Sequence, residues 1–314
     1  MEALKVQIKE KRNISENSLN TYLRNLRILN SKFGNKEFKN LSFLNNFKKV
    51  KDILNNMTDS TRKNNLASIL VGLKATNSKN KVIDKYVKFL DQVSKDYNEK
   101  ILTQRKSDKE SSNWASVKSL QGVLNKYASK MRRKQYYKKS SLTKKEMDKL
   151  KTYLVLSLYL IDPKSNPPRR LEYASLKLTN KDPDNNKENF LRIFSRNKKE
   201  FIFNNYKTAK TYKKQIIPVG SKLNSVINLW LKFNPNNEYL LTNSRGGKMT
   251  ENGLGKYLQN IFKKELGKKI SVNMIRHIIL SDAYKDVPKM KEMKDKAEKM
   301  GHSVNEALTT YTKK

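Results

Sequence analysis

The chain has 314 residues, with 68 Lys or Arg against 29 Asp or Glu and a formal net charge of +39; a compact protein with that excess repels itself unless a polyanion neutralises it, and nucleic acid is the obvious partner. The absence of cysteine excludes disulfides, thiolate zinc sites and cysteine nucleophiles together. No stretch approaches the roughly 18 consecutive apolar residues of a membrane span, and Met1–Arg12 is a lysine-rich amphiphile without the apolar core of a secretory signal, so the chain reads as soluble and intracellular, with no membrane partner.

The length accommodates two ordinary domains, each with a buried core. From about Ser15 to Lys134 apolar residues recur three and four apart, the helical period. Leu19, Tyr22, Leu23, Leu26 and Leu29 form the stripe of one helix. A second covers Phe43–Asn55, a third runs from the capping choices Thr58, Asp59, Ser60 and Thr61 to Leu73, a fourth spans Lys81–Tyr97 and a fifth Ser112–Arg133. Lys130–Ser141 carries six Lys or Arg and little that suits a core, which places a domain boundary at residue 135. Arg132, Arg133 and Lys134 are there as candidate DNA-backbone contacts.

In residues 136–314, Thr143 with Glu146 three positions on predicts a capping box. The helix it opens runs through Leu150, Tyr153, Leu154, Leu158 and Tyr159, apolar enough for a central position. Pro167-Pro168 stops it, and Arg169–Leu176 restarts a helical turn. Strands at Phe190–Phe194, Glu200–Phe203 and Lys213–Val219 predict a three-stranded antiparallel sheet. Helices return at Lys222–Phe233, Gly253–Leu266, Val272–Tyr284 and Lys289–Met300. The expected fold is mostly α with a small antiparallel β-sheet: an all-helical N-terminal domain, then a mixed α/β domain.

Two histidines and no cysteine leave little for zinc, and the chain has no Gly-x-x-x-x-Gly-Lys phosphate loop. Asp182 and Asp184 flank Pro183 in a polar turn, which argues against a magnesium nuclease. No metal or cofactor is expected. What remains is a metal-free attack on a phosphodiester, which needs a nucleophile, cations for the non-bridging oxygens and an acid for the leaving oxygen. Arg169, Lys207, Arg276, His277, His302 and Tyr311 supply those residue types, with Tyr311 nine residues after His302.

These residues resemble the signature of the tyrosine recombinase, or phage-integrase, superfamily. Arg169-Arg170-Leu171-Glu172 with Leu176 keeps the register of its first arginine box. Asn273-Met274-Ile275-Arg276-His277 is similar to its His-x-x-Arg-His box, with asparagine first. Met300-Gly301-His302-Ser303 and Tyr311 look like its third box, and Lys207-Thr208-Ala209 before Ile216-Ile217-Pro218 looks like its β-hairpin lysine. The likeness covers residues 142 to 314 by motif, and the helical N-terminal half is similar in type to the family's core-binding domain.

The resemblance implies that Arg169 and Arg276 clamp the scissile phosphate, Lys207 protonates the leaving 5′-oxygen, and His302 hydrogen-bonds the phosphate. Tyr311 would attack to leave a 3′-phosphotyrosyl link, Glu172 would orient the arginine region, and His277 would pack beneath the site as structural support. Arg170 competes with Arg169 for the clamp, and Lys210, Lys213 and Lys214 compete with Lys207; Arg170 and Lys210 otherwise stand as DNA contacts. Asn273 can donate a hydrogen bond but cannot exchange a proton near neutral pH, which predicts a slower or differently tuned enzyme. Thr312-Lys313-Lys314 is too short for the docking helix of many family members, so assembly through it is not expected.

The expected partner is double-stranded DNA, bound by a homo-tetramer on two duplexes, with a monomer allowed without DNA. The expected reaction is recombination or integration for a mobile element or virus with an A/T-rich genome, in the host cytoplasm or nucleus if viral. A type IB DNA topoisomerase and an inactive DNA-binding protein of the same fold are the alternatives.

Overall fold

Apolar stripes of helical period run through most of the chain, and the computed structural model, which describes residues 1–163, 165–183, 187–301, 303–306 and 308, is accordingly mostly helical with one small sheet. Contacts divide it into two compact units: Met1–Arg105 with the described residues of Pro288–Lys314, and Lys106–Val287. No helix among the described residues is long and apolar enough to cross a membrane.

The first unit contains α1 (Glu2–Lys11), α2 (Glu16–Phe33), α3 (Phe47–Asn55), α4 (Asp59–Ala75) and α5 (Asn80–Leu102), later joined by a helix at Met290–Lys299. Its core is built from the predicted stripe residues Leu19, Leu26 and Leu29 together with Leu54, Leu66 and Ile69, all buried. Helix α1 was not expected as a separate element; Leu4 and Ile8, one turn apart, bury its inner face in the same core. The buried Tyr86 hydroxyl donates to the Leu44 carbonyl at 2.8 Å, tying α5 to the turn before α3.

The second unit contains α6 (Asp108–Asn113), α7 (Val117–Arg133), α8 (Lys144–Leu160), β1 (Lys177–Thr179), β2 (Phe190–Ile193), β3 (Lys199–Phe203), α9 (Ala209–Tyr212), β4 (Gln215–Pro218), α10 (Ser221–Leu231), α11 (Glu251–Leu266) and α12 (Val272–Ala283). The single helix expected over Ser112–Arg133 is broken at Trp114, and new N-caps at Ser107 and Ser116 start α6 and α7 separately. The units divide at Arg105, not at residue 135. Leu120, Val123, Leu124 and Met131 of α7 enter the same core as Leu150, Leu154 and Leu158 of α8. The basic segment after α7 is also less solvated than its composition implies, because Tyr136 is fully buried in that core.

From Leu150 onward helix α8 is buried on nearly every side, and it packs against α7, α10 and α11. Its capping box forms: the Thr143 hydroxyl accepts from the Glu146 amide at 3.3 Å, and the Glu146 carboxylate accepts from the Thr143 amide at 3.1 Å. A hydrogen bond from Lys139, with that from Thr143 behind it, holds the Glu146 carboxyl down at about 2, against an ordinary 4.5. Because the folded value lies below the unfolded one, this stabilisation is complete above about pH 4.5 and fades as pH falls toward about 2. Glu146→Gln should therefore melt below the wild type at about pH 6, and the gap should close as pH falls toward about 2.5; thermal melts of both proteins across that range are the check.

The sheet is four-stranded and mixed, in the order β1-β2-β3-β4, instead of three-stranded and antiparallel. Strands β2, β3 and β4 pair antiparallel as predicted, while β1 pairs parallel with β2. Three residues are too few to show alternation. Strand β1 is held on its other side by the Leu178 amide donating to Glu238 at 2.8 Å and the Leu240 amide donating to Leu176 at 2.9 Å, partners about 60 residues away in sequence.

Candidate functional site

Pro167-Pro168 ends the connection after α8, and the chain enters a tight turn at Glu172–Ser175 whose Glu172, Tyr173 and Ala174 are buried. Two contacts fix this segment. The buried Asn166 side chain donates to Pro218 at 3.1 Å and accepts from the Gly220 amide at 3.0 Å, tying it to the end of β4. The Tyr159 hydroxyl of α8 donates to the Arg170 carbonyl at 2.8 Å. Beneath lies an aromatic cluster in which Tyr173 meets Tyr159, Phe201 and Phe203 at centroid distances of 5.4, 5.3 and 5.8 Å.

Arg169 stands on that cluster. Its guanidinium lies 4.0 Å from the Phe203 ring centroid and 4.9 Å from that of Tyr206, and one terminal nitrogen donates to Gln215 Oε1 at 2.6 Å. Stacking and a single fixed acceptor restrict the fork to one plane. Arg170 is exposed.

Lys207 is carried by the β3–β4 connection, which is pinned at its start. Oδ1 of the buried Asn189 accepts from the Asn204 and Asn205 amides at 3.0 and 2.9 Å, and its Nδ2 donates to the Asn205 carbonyl at 2.8 Å. At the far end the Tyr206 hydroxyl donates to the Lys213 carbonyl at 2.7 Å. Lys213 has φ 56° and ψ −163°, a region that side-chain-bearing residues rarely enter.

Gly267, at φ 70°, ends α11 in the left-handed conformation and returns the chain toward α12. Ser271 caps α12 by accepting from the Met274 amide at 3.2 Å. Asn273 therefore sits in the first turn of α12 and Arg276 one turn later on the same face.

These segments meet in one cleft of about 740 Å³, whose walls include Arg169, Arg170, Glu172, Lys207 and Arg276, with Val117 and Gln121 of α7. A recess sharing Arg170, Glu172, Tyr206 and Lys207 continues to Asn273 and the α12 N-terminus. Of Lys207, Lys210, Lys213 and Lys214, Lys207 is the one that lines the cleft; Lys214 lies 3.8 Å from Asp182, and Lys210, on α9, is exposed as Lys207 is but does not line the cleft. Glu172 is 6% exposed and its Oε2 has no hydrogen-bond partner, as does the buried Nε of Arg169.

Other predicted residues lie elsewhere. Arg132, Arg133 and Lys134 are exposed at the C-terminal end of α7, eleven or more residues beyond Gln121. His277 does not pack beneath the cleft: it is exposed, with Nδ1 3.9 Å from Glu110 Oε1. The Ser107 amide and hydroxyl, and then the His277 ring, hold the Glu110 carboxyl below the usual carboxylate range. His302 and Tyr311 lie outside the described residues. Among the described residues no group of three or more His, Asp or Glu could hold a metal ion.

The sequence reading missed Asn166, Asn189, Tyr206 and Gln215. Gln215 had been read only as part of a strand, and nothing in its spacing signals that it would meet Arg169 from 46 positions away.

Planar guanidinium donors, an ammonium group, an amide and a helix N-terminus around one cleft suit an anion whose charge is spread over several oxygens, as in a phosphoryl group. Comparison with known proteins finds no matching family model, no matching curated protein and no matching solved structure.

Proposed function

We propose that the chain is a DNA strand-breaking and rejoining enzyme of the tyrosine recombinase type, acting without metal or cofactor. The observation that carries this reading is the meeting of Arg169, Lys207, Asn273 and Arg276, from three separate segments, on one cleft and its adjoining recess. In this reading Arg169 and Arg276 neutralise the non-bridging oxygens of the scissile phosphate. Lys207 delivers a proton to the departing 5′-oxygen, and Asn273 donates a hydrogen bond without exchanging a proton. Tyr311 is the nucleophile and His302 its neighbour at the phosphate.

The helical segment Met1–Arg105 acts as a DNA clamp and Lys106–Val287 carries the phosphate-binding residues, on double-stranded DNA, with strand exchange carried out by four protomers on two duplexes. A nicked suicide duplex traps the first step, because the fragment bearing the 5′-hydroxyl leaves and rejoining stops. The expected result is a denaturation-resistant protein–DNA adduct, formed in the presence of a chelator and absent from Tyr311→Phe. No adduct from the unmodified protein on a sequence pool that it binds would sink the reading. An adduct accompanied by relaxation of a supercoiled plasmid, without strand exchange between two marked duplexes, would assign it to a type IB topoisomerase instead.

A further inference from the structure

A second concentration of positive charge lies in the same unit, away from the arginine cleft. Lys126 and Lys130 of α7, Lys145 and Lys149 of α8 and Lys264 of α11 line a hollow of about 400 Å³ whose carboxylates are Asp148 and Glu265. Glu265 is already engaged. Lys126 Nζ lies 2.6 Å from one of its oxygens and the Tyr127 hydroxyl 3.0 Å from the other. The Lys264 charge also acts on Glu265, which leaves Asp148 as the one other carboxylate on the wall with Lys130, Lys145 and Lys149. The Lys149 charge, with burial and the charges of Lys134 and Arg133 behind it, pushes the Lys130 ammonium below its usual range.

Solvated lysines on a helix face normally spread apart, so ammonium groups drawn around one concavity oppose one another until an anion enters.

The hollow is not an extension of the cleft. Gln121, on the cleft wall, and Lys130, on the hollow wall, are nine residues apart on α7, which is two and a half turns and puts them on opposite faces. The hollow runs along the N-terminal half of α8, from Lys145 to Thr152, and the cleft lies beyond the helix's C-terminal end. The turns of α8 from Thr152 to Leu160, about 12 Å of helix, lie between the hollow and the segment that leads to the cleft.

We propose that this lysine hollow is a second phosphate-binding site, which holds the backbone of a DNA segment other than the one in the arginine cleft. The choice of DNA as the polyanion rests on the proposed function; the site itself rests on its own geometry. A single protomer then holds two segments at once.

The test is capture of a labelled duplex by full-length protein already bound to an immobilised duplex. The Lys130→Gln/Lys149→Gln/Lys264→Gln variant is compared with a control that removes equal charge from exposed positions, Lys222→Gln/Lys248→Gln/Lys269→Gln. The expected result is loss of second-duplex capture by at least about tenfold in the first variant only. A fall in the log–log salt slope of about 0.9 for each phosphate contact removed should accompany it, together with an unchanged rate of adduct formation on one suicide duplex.

Equal capture by the hollow variant and the wild type overturns the proposal, as does equal loss in the control or no capture by the wild type. Tripolyphosphate binding lost in the hollow variant, with DNA capture retained, overturns the DNA assignment in favour of a free polyphosphate. Capture that depends on the hollow in a protein that forms no adduct would separate this site from failure of the recombinase reading.

Discussion

Arg169→Lys should slow adduct formation on the suicide duplex by about 10²–10³-fold, the usual cost of losing one preorganised donor to a developing negative charge. Charge is kept in this variant, so bulk attraction for DNA should change little; what goes is the planar fork held over Phe203 and Tyr206 and the bond to Gln215. Lysine is a point charge on a flexible stem and reproduces neither. Single-turnover adduct rates, measured beside equilibrium DNA binding, separate the two effects. Gln215→Leu should act in the same direction by about tenfold, since it leaves the Arg169 fork without its acceptor. Arg170→Lys provides the contrast: Arg170 also lines the cleft, but among the described residues no ring or side-chain acceptor holds its guanidinium as Phe203, Tyr206 and Gln215 hold that of Arg169. A normal rate in Arg169→Lys with a collapsed rate in Arg170→Lys would transfer the clamp to Arg170.

Tyr173→Ala should cost about 3–5 kcal/mol of unfolding free energy, the range for truncating a well-packed aromatic and a large share of the roughly 5–15 kcal/mol available to a domain. Tyr173 is 1% exposed and edges against three rings, Tyr159, Phe201 and Phe203. Burial raises its hydroxyl well above the ordinary tyrosine range, so it stays neutral within the cluster. Two supports of the cleft pass through the same rings: Phe203 carries the Arg169 guanidinium, and Tyr159 holds the Arg170 carbonyl. Chemical denaturation should thus show the stability loss, and adduct assays in conditions where the variant remains folded should show a rate loss as well. Full stability in Tyr173→Ala would mean that the cluster does not organise the arginine segment.

Local rules were enough for much of this. The stripe of Leu19, Leu26 and Leu29, the capping box of Thr143 and Glu146 and the buried length of α8 follow from period and short-range hydrogen bonding, which the chain carries within a few residues. The same holds for Asn273 and Arg276, because three residues on a helix are one turn and share a face. Break points were less legible. The interruption of the helix at Trp114 and the burial of Tyr136 are decided by what α7 packs against, and composition alone made that segment look like a solvated linker.

The sheet divides in the same way. Antiparallel pairing of β2, β3 and β4 was readable from alternation and short connections, whereas β1 exists because β2 on one side and residues 238–240 on the other complete its hydrogen bonds.

By itself the sequence determined a cysteine-free, strongly basic, mostly helical chain, since charge and periodicity are properties of neighbours along the chain, and it offered arginines and lysines whose spacing resembles that of the tyrosine recombinases. Tertiary structure alone decided that Arg169, Lys207, Asn273 and Arg276 meet around one cleft and its recess while His277 turns away to Glu110. It also singled out Lys207 among four lysines of one loop and brought Gln215 to the Arg169 fork. Those outcomes depend on contacts between residues tens of positions apart, whose loop-closure cost is met only when the aromatic cluster and α8 core assemble as a whole.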